Sequence, residues 1–283
     1  MTSMLSGGGE RLTRRQFLAV AGISVAGASA YGGCSNETQS VRATLASMPG
    51  LPGVSRTPLR VAFVADMHGP HNWVSEPHLL ADIASFRPDL LCVVGDAVDE
   101  RGDEHMVSLY TSIEARLGKF ATLGNWEHEA RCDLDLLRRE YERAGVRLLV
   151  NERVRVDHAG EPIDLVGLDD WRAGSPHYEL VSGLEPGGAE APRALIMSHC
   201  PITFDRIADI APRPTVTLAG HTHGGQIAPF GIALVTPDGS GRYVSGWYDS
   251  PDGAHHMYVT RGLGNSGPPF RIGARPELAL LTL

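Results

Sequence analysis

The chain has 283 residues, of which 42% are hydrophobic, and this leaves room for one substantial buried core rather than two independent enzymes. Its formal net charge of -8 excludes a broad basic surface that wraps nucleic acid, so we expect no specific nucleic-acid binding. The 33 glycines and 19 prolines make the chain rich in turns, but apolar runs keep returning between them, which is not the pattern of a low-complexity protein.

The N-terminus has the features of an export signal. Arg14 and Arg15 precede an uncharged stretch rich in Ala, Gly and Val, which ends at the A-x-A pattern Ala28-Ser29-Ala30. This resembles a twin-arginine signal peptide over residues 1–30, recognised by the twin-arginine translocation machinery. The apolar part is shorter than the roughly 20 residues that a spanning helix needs, which disfavours a permanent anchor.

Residues 31–58 are rich in Ser, Thr, Pro and Gly and are predicted to form a linker or tether. Within them, Gly32-Gly33-Cys34 resembles a bacterial lipoprotein cleavage site, although Tyr31 fits that pattern poorly. Membrane association through the leader or through a lipidated Cys34 therefore stays open. The expected location is the periplasm, the cell wall or the outer face of the membrane.

From Leu59 onwards, short apolar runs alternate with longer segments of helical period, the pattern of an α/β domain over residues 59–283. Strands are predicted at 59–65, 90–94, 120–123, 147–150, 163–168, 194–198, 216–219, 257–259 and 278–281. Helices are predicted at 76–86, 104–117 and 133–144, where apolar residues recur at spacings of three and four.

Five of the predicted strands are followed directly by Asp, His or Asn. The segments are Asp66-Met67-His68, Gly95-Asp96-Ala97-Val98-Asp99, Gly124-Asn125, Ser198-His199 and Gly220-His221-Thr222-His223. Ligands bind beyond the carboxyl ends of strands in α/β sheets, so we expect these distant segments to converge. Carboxylate and imidazole together suit Mn, Fe or Zn, and the absence of Cys argues against a structural thiolate zinc site.

The ordered set resembles the signature of the calcineurin-like metallophosphoesterases: D-x-H, G-D-x-x-D, G-N-H-[DE], an isolated His and G-H-x-H. Residues 220–226 and 258–264, with Arg275-Pro276-Glu277, are similar to the YkuE/YaeI-type bacterial phosphodiesterase branch. The resemblance implies an α/β sandwich of two mixed β-sheets flanked by helices, arranged αββα, and a catalytic domain over 59–283.

The same resemblance implies two divalent metal ions, Mn²⁺, Fe or Zn²⁺, and seven ligands. One ion would be held by Asp66, His68 and His223, the other by Asn125, His199 and His221, and Asp96 would bridge them. Arg261 and Asn265, in a glycine-rich segment, are further candidates for contact with a phosphate oxygen.

One position departs from the signature, because Trp126 follows Asn125 where the family has His. In the family that His is thought to protonate the leaving oxygen or to stabilise the transition state, and indole cannot transfer a proton at neutral pH. Either His128 supplies the function from another direction, or the enzyme relies on its metals and favours good leaving groups. We favour His128, and name His128 and Asp96 as the catalytic residues.

The predicted function is an exported, metal-dependent hydrolase that cleaves a phosphodiester through a hydroxide bridging two metal ions. Its substrate would be a phosphate ester such as a lipid head group, a cell-envelope polymer or a scavenged nucleotide, and the fold does not choose among these. A phosphomonoesterase or nucleotidase, and a metal-binding protein without turnover, stay open as alternatives.

Overall fold

The strands of this computed structural model form two six-stranded sheets. The structure describes residues 37, 41–48, 57–69, 74–98, 108–187, 191 and 193–283. In chain order the strands β1 to β12 are Arg42–Ser47, Arg60–Val64, Leu90–Val94, Gly118–Thr122, Val146–Leu148, Glu152–His158, Glu161–Gly167, Arg193–Met197, Val216–Ala219, Gly246–Asp249, His256–Val259 and Glu277–Thr282.

Five α-helices lie between the strands in the described part of the chain. Helices α1 to α5 are Glu76–Phe86, Asn125–Glu129, Leu134–Arg143, Glu179–Ser182 and Thr203–Ile210. Short 3-10 helices are formed by Leu109–Ser112, His223–Gly225 and Pro229–Gly231. None of the helices described is long and apolar enough to cross a bilayer.

Both sheets are mixed. The first has the order β1-β12-β2-β3-β4-β5, in which only the β12–β2 pair is antiparallel. The second has the order β10-β11-β9-β8-β7-β6, with antiparallel pairs at its two ends and parallel pairs between them. The predicted architecture of two mixed sheets flanked by helices is therefore confirmed.

Three apolar layers hold the sandwich together. Alternate residues of β2 point to opposite faces: Val61 and Phe63 enter the core shared with the second sheet, and Ala62 and Val64 pack under α1 and α3. On the other side, β7 and β8 pack against α4 and α5. Burial on both faces explains why the central parallel strands are continuous apolar runs.

The prediction of a tether over residues 31–58 is wrong for residues 42–47. These residues form β1, whose backbone pairs in parallel with β12 from Arg42 opposite Glu277 to Ser47 opposite Thr282. The free edge of β12 supplies the hydrogen bonds, so the strand needs little apolar alternation of its own. The predicted signal peptide, Cys34 and Asp99 lie outside the described residues.

The helix predicted at 104–117 is wrong from residue 109 onwards. A single 3-10 turn, Leu109–Ser112, ends at Ile113, whose backbone is extended. The Leu117 N–H then donates to the Asp89 carbonyl, which leads the chain into β4. Leu109, Tyr110 and Ile113 reach the core from a 3-10 turn and the extended residue after it, so their spacing resembles that of an α-helix without one being formed.

Candidate metal centre

Six carboxylate and imidazole side chains meet where four strands end. β2 and β3 belong to the first sheet and β8 and β9 to the second, so the centre lies across the carboxyl edge of the whole sandwich. Each side chain belongs to a residue that is at most 5% exposed: Asp66, His68, Asp96, His199, His221 and His223. The convergence expected from the strand-end positions is observed for these residues.

The side chains form two groups, in each of which one potential ligand atom per residue lies within 4.8 Å of the others. The first group is Asp66, His68 and His223. Here His68 Nε2 lies 3.1 Å from His223 Nε2, which lies 3.6 Å from Asp66 Oδ1. The spacing suits a single cation, because three inward-facing atoms surround one point.

The second group is Asp96, His199 and His221, and it touches the first. Asp96 Oδ2 lies 3.1 Å from His199 Nε2 and 3.7 Å from His68 Nε2, so one carboxylate oxygen faces both groups. This is where a ligand shared by two ions would lie. Ligation by each of these residues stays a prediction.

Two buried atoms of the centre lack a hydrogen-bond partner among the described residues, as metal ligands would in the absence of an ion. They are Asn125 Oδ1 and His199 Nε2. A buried acceptor left without a donor, as Asn125 Oδ1 is, costs about 1–3 kcal/mol. His199 Nε2 faces the Asp96 carboxylate at 3.1 Å, so the carboxylate stabilises a positive charge at that nitrogen, whether a proton or a metal ion. The donor set therefore fits two divalent ions, and Asn125 begins α2 between Gly124 and Trp126, which both adjoin Asp96.

Backbone carbonyls fix the tautomers of two histidines. His199 Nδ1 lies 2.9 Å from the Val94 carbonyl, and His221 Nε2 lies 2.8 Å from the Asp238 carbonyl. A carbonyl only accepts, so these nitrogens carry the protons and the opposite nitrogens keep their lone pairs. Such outer hydrogen bonds are typical of metal-ligating histidines.

Burial controls the protonation of the centre. It lowers the pKa of His221 to about 4, with the neighbouring His199 adding to the effect, and lowers the pKa of His223 well below its ordinary value. It also raises the pKa of Asp66 to about 7. Burial opposes ionisation of Asp96 too, but His199 holds the pKa of that carboxyl well below its usual range. Burial opposes protonation of His199, but Asp96 raises the pKa of that imidazole well above its ordinary value. Metal binds the neutral imidazole and the ionised carboxylate, so an ion at this site would displace the proton of His199 Nε2.

Glycines allow the carboxylates to sit against the main chain. A Cβ at Gly124 would collide with Asp96 Oδ1, and a Cβ at Gly262 would come within 2.5 Å of Asp66 Cβ. Gly262 also has a φ of +64°, a conformation that side chains disfavour. Both glycines are therefore required by close approach to the centre.

Glu127 is a residue whose role the sequence did not reveal. It is 2% exposed, and its carboxylate accepts N–H hydrogen bonds from Gly124 (2.8 Å), Asp96 (3.1 Å) and Ala97 (2.8 Å). It therefore fixes the loop that carries Asp96 to the first turn of α2. Its place in the G-N-x-E pattern was the signal that could have suggested this.

Trp126 and His128 both lie on α2 but have different neighbours. The indole of Trp126 meets His68 edge to face, with ring centroids 5.9 Å apart, and the backbone N–H of Trp126 donates to Asp96 Oδ1 at 2.8 Å. His128 Nε2 instead lies 2.7 Å from Asp169 Oδ1, a hydrogen bond that raises the pKa of His128. Among the described residues no hydrogen bond or ion pair joins His128 to the six clustered side chains, and its catalytic role stays a prediction.

The two candidates for phosphate contact are held by other residues. Arg261 Nη1 lies 3.3 Å from Glu277 Oε1. Asn265 is 3% exposed, and its Oδ1 accepts from Arg271 Nε at 3.2 Å, while its Nδ2 has no partner in the described part of the chain. Arg271 also donates to His223 Nδ1 at 3.1 Å, which orients that ring.

Two adjacent carboxylate–imidazole groups at the strand ends of a mixed αββα sandwich are typical of metal-dependent hydrolases, and they form two candidate metal sites. Residues 59–225 match the Calcineurin-like phosphoesterase family profile, and the chain belongs to this family. Membership indicates a metal-dependent hydrolase of phosphoric esters.

Two curated relatives from Bacillus subtilis (strain 168) are similar over most of both chains. Uncharacterized metallophosphoesterase YkuE is 29% identical over 211 residues, 72% of this chain and 71% of the relative. Uncharacterized metallophosphoesterase YkoQ is 28% identical over 245 residues, 81% and 84% of the two chains. Among solved structures, TT1561 of Thermus thermophilus superposes with a TM-score of 0.36 at 14% identity, covering 73% of this chain and 91% of that chain.

Proposed function

We propose that the protein is an exported phosphodiesterase that uses two divalent metal ions. The observation that carries the proposal is Asp96 Oδ2, which faces both ligand groups at 3.1 Å from His199 Nε2 and 3.7 Å from His68 Nε2. Paired cation sites suit an in-line displacement at phosphorus, because the attacking and the leaving oxygen both lie beside positive charge. Mn²⁺, Fe and Zn²⁺ all accept carboxylate and imidazole ligands.

Two divalent ions, when bound, supply Lewis acidity towards phosphoryl oxygens and lower the pKa of a water nucleophile. The residues of the chain would bind the ions and shield them from water. Asp96 supplies negative charge to both groups, and His199 and His221 each present one lone pair in a direction fixed by a backbone carbonyl. Trp126 packs at right angles to His68 with an indole that moves no proton, so its role is to exclude water from that side of the ring.

The charges around the centre favour a diester over a monoester. A monoester dianion carries a second negative charge, which phosphate-binding sites commonly meet with arginine. Of the arginines described beside the ligands, Arg271 is fully buried and donates to main-chain carbonyls, and Arg261 is ion-paired with Glu277. A monoanionic diester needs no further cation, and its second organic group would pack on the partly buried Trp126.

Hydrolysis of bis(p-nitrophenyl) phosphate beside p-nitrophenyl phosphate tests the proposal, with the full chain in Mn²⁺, in Zn²⁺ and in chelator. We expect metal-dependent turnover that favours the diester. Faster turnover of the monoester would support a phosphomonoesterase or nucleotidase instead. Metal binding without turnover of either ester at any pH would support a metal-binding protein without catalysis.

Export by the twin-arginine route is proposed from Arg14, Arg15 and the uncharged stretch that follows them. The substrate would then be met outside the cytoplasm, as a lipid head group, a cell-envelope polymer or a scavenged nucleotide. Replacing both arginines with Lys keeps the charge and is expected to leave uncleaved precursor in the cytoplasm. Export of the double variant at the wild-type level would contradict the route, and the mass of the mature N-terminus would reveal a lipid on Cys34.

A further inference from the structure

An uncharged, exposed loop follows the second pair of histidines. Residues 227–235, here called the apolar loop, read Ile-Ala-Pro-Phe-Gly-Ile-Ala-Leu-Val and contain no polar side chain. Three of them are among the large hydrophobic residues with the greatest exposure: Phe230 at 80%, Ile232 at 67% and Leu234 at 49%. Exposed apolar residues clustered in this way mark an interaction surface more often than scattered ones do.

The base of the apolar loop is fixed to the metal centre. Ile227 forms a parallel bridge with Ile272, and the Ala228 N–H donates to the Ile272 carbonyl at 2.7 Å. Ala233 packs so closely on Gly225 that a side chain there would collide with it. Gly225 ends the 3-10 turn that begins at His223, so the loop stands at a set position relative to the ligands.

At the tip of the loop, Phe230 has a strained backbone conformation and an exposed aromatic side chain. Phe230 has a φ of +57°, which costs a bulky residue roughly 1–2 kcal/mol. No burial offsets this cost, since the side chain is 80% exposed. A strained backbone conformation at an exposed tip points to a function for that tip.

The chemistry of the loop fits a lipid surface better than a protein partner. Protein interfaces carry about one hydrogen bond per 100–200 Å² and a polar rim, and the loop has no side chain to supply either. An apolar environment instead requires backbone groups to be satisfied internally. Backbone N–H groups that donate within the protein are those of Ile227, Ala228, Gly231, Ile232 and Leu234.

We propose that the apolar loop docks the protein on a phospholipid bilayer by inserting Phe230, Ile232 and Leu234 into the interface. Residues 220–237 contain no Asp, Glu, Lys or Arg, in a chain of net charge -8. Docking therefore depends on apolar burial and not on anionic lipid, and zwitterionic vesicles are sufficient. The docking does not depend on the proposed catalysis, although it would bring the metal centre to the level of lipid head groups.

Flotation of the full chain with phosphatidylcholine vesicles tests the proposal. We expect the triple variant F230S/I232S/L234S to partition into vesicles about 100-fold more weakly than the wild type. Each side chain that is half-buried in the bilayer contributes about fivefold to the partition coefficient, and the three factors multiply. Leu45→Ser is the matched control, because Leu45 is 76% exposed on β1, and it is expected to change partitioning less than about twofold. Equal partitioning of the triple variant and the wild type would overturn the proposal.

A second measurement separates the loop from any binding by the N-terminal segment. Phe230→Trp and Leu45→Trp each add one tryptophan, and brominated phosphatidylcholine is expected to quench the added emission only at position 230. Docking by the loop would be overturned if the lipid quenched the added tryptophan equally at both positions, or at neither. It would also be overturned by a change of molar mass in the triple variant without vesicles, which would indicate contact with a second copy. Turnover of a soluble diester, read separately, bears on the catalytic proposal alone.

Discussion

Replacing Asp96 with Asn changes the metal centre with the least change in shape. Asn keeps an oxygen that can accept the Trp126 backbone N–H, as Asp96 Oδ1 does at 2.8 Å. It removes one negative charge and turns an amide group towards His68 and His199. The metal-free variant should therefore stay folded, with a change in unfolding free energy of about 1 kcal/mol and a shift in Tm of about 2–4 °C.

Metal affinity is expected to fall much further. A unit charge about 4 Å from another unit charge is worth about 4 kcal/mol at an effective dielectric constant of 20, so its removal from beside a divalent ion should lower affinity by at least about 1,000-fold. Calorimetric titration with Mn²⁺ measures this loss, and diester turnover should disappear with it. Asp249→Asn, which removes an exposed carboxylate paired with His256, is the control and should bind two ions. Wild-type affinity for two ions in Asp96→Asn would refute the assignment.

Three further substitutions test separate parts of the structure. Trp126→His puts an imidazole beside His68. We expect it to raise the turnover of esters with poor leaving groups by about 10–100-fold, because an imidazole can act as a general acid and an indole cannot. Equal rates for the variant and the wild type would contradict a catalytic role for this position. Glu127→Gln turns an amide towards backbone N–H groups and should cost about 3 kcal/mol, or about 10 °C in Tm by calorimetry. Burial opposes ionisation of Asp164, but Arg155 and Arg213 hold the pKa of its carboxyl below the usual value. The ionised carboxylate therefore stabilises the folded protein above about pH 4, and this contribution is lost as the pH falls. Asp164→Asn should remove that acid dependence in unfolding measured from pH 2 to 7.

The central strands and α1 could be predicted from sequence because packing alone determines them. β3 and β9 begin and end at the predicted residues, since both strands are short, mostly apolar runs that turn residues bound. β1 could not be predicted, because its stability comes from backbone pairing with β12 and its own side chains are largely exposed. β6 was not predicted, although Val154 and Val156 alternate with arginines as in a strand with one exposed face. The charged residues between the valines made the segment look like a polar loop.

The candidate ligands could also be predicted, because a residue directly after a strand is placed by the strand itself. The position of His128 could not. Its direction depends on α2, a helix of five residues, and on Asp169, which lies 41 residues further along the chain. Arg271 likewise comes from a loop with no strand before it, yet it orients His223 from within the core.

The separation of Trp126 and His128 on α2 limits what His128 can do. Residues two apart on a helix point about 200° from each other, so His128 faces Asp169 while Trp126 faces His68. Turning α2 to bring His128 to the ligands would break the backbone N–H bond from Trp126 to Asp96 and the contacts of Glu127. His128 can therefore protonate only a leaving group long enough to extend past α2.

His128→Ala should therefore have an effect that depends on the size of the leaving group. Turnover of diesters with a small, unactivated leaving group should be unchanged, whereas that of diesters with an extended, unactivated leaving group should fall by about 10²-fold or more. Activated p-nitrophenyl esters should be insensitive, because their leaving group needs no proton. His177→Ala, at a largely exposed histidine beside Glu179, is the control. A uniform loss across all three classes would mean that His128 acts through the structure of α2, and unchanged rates in all of them would leave catalysis to the metal ligands alone.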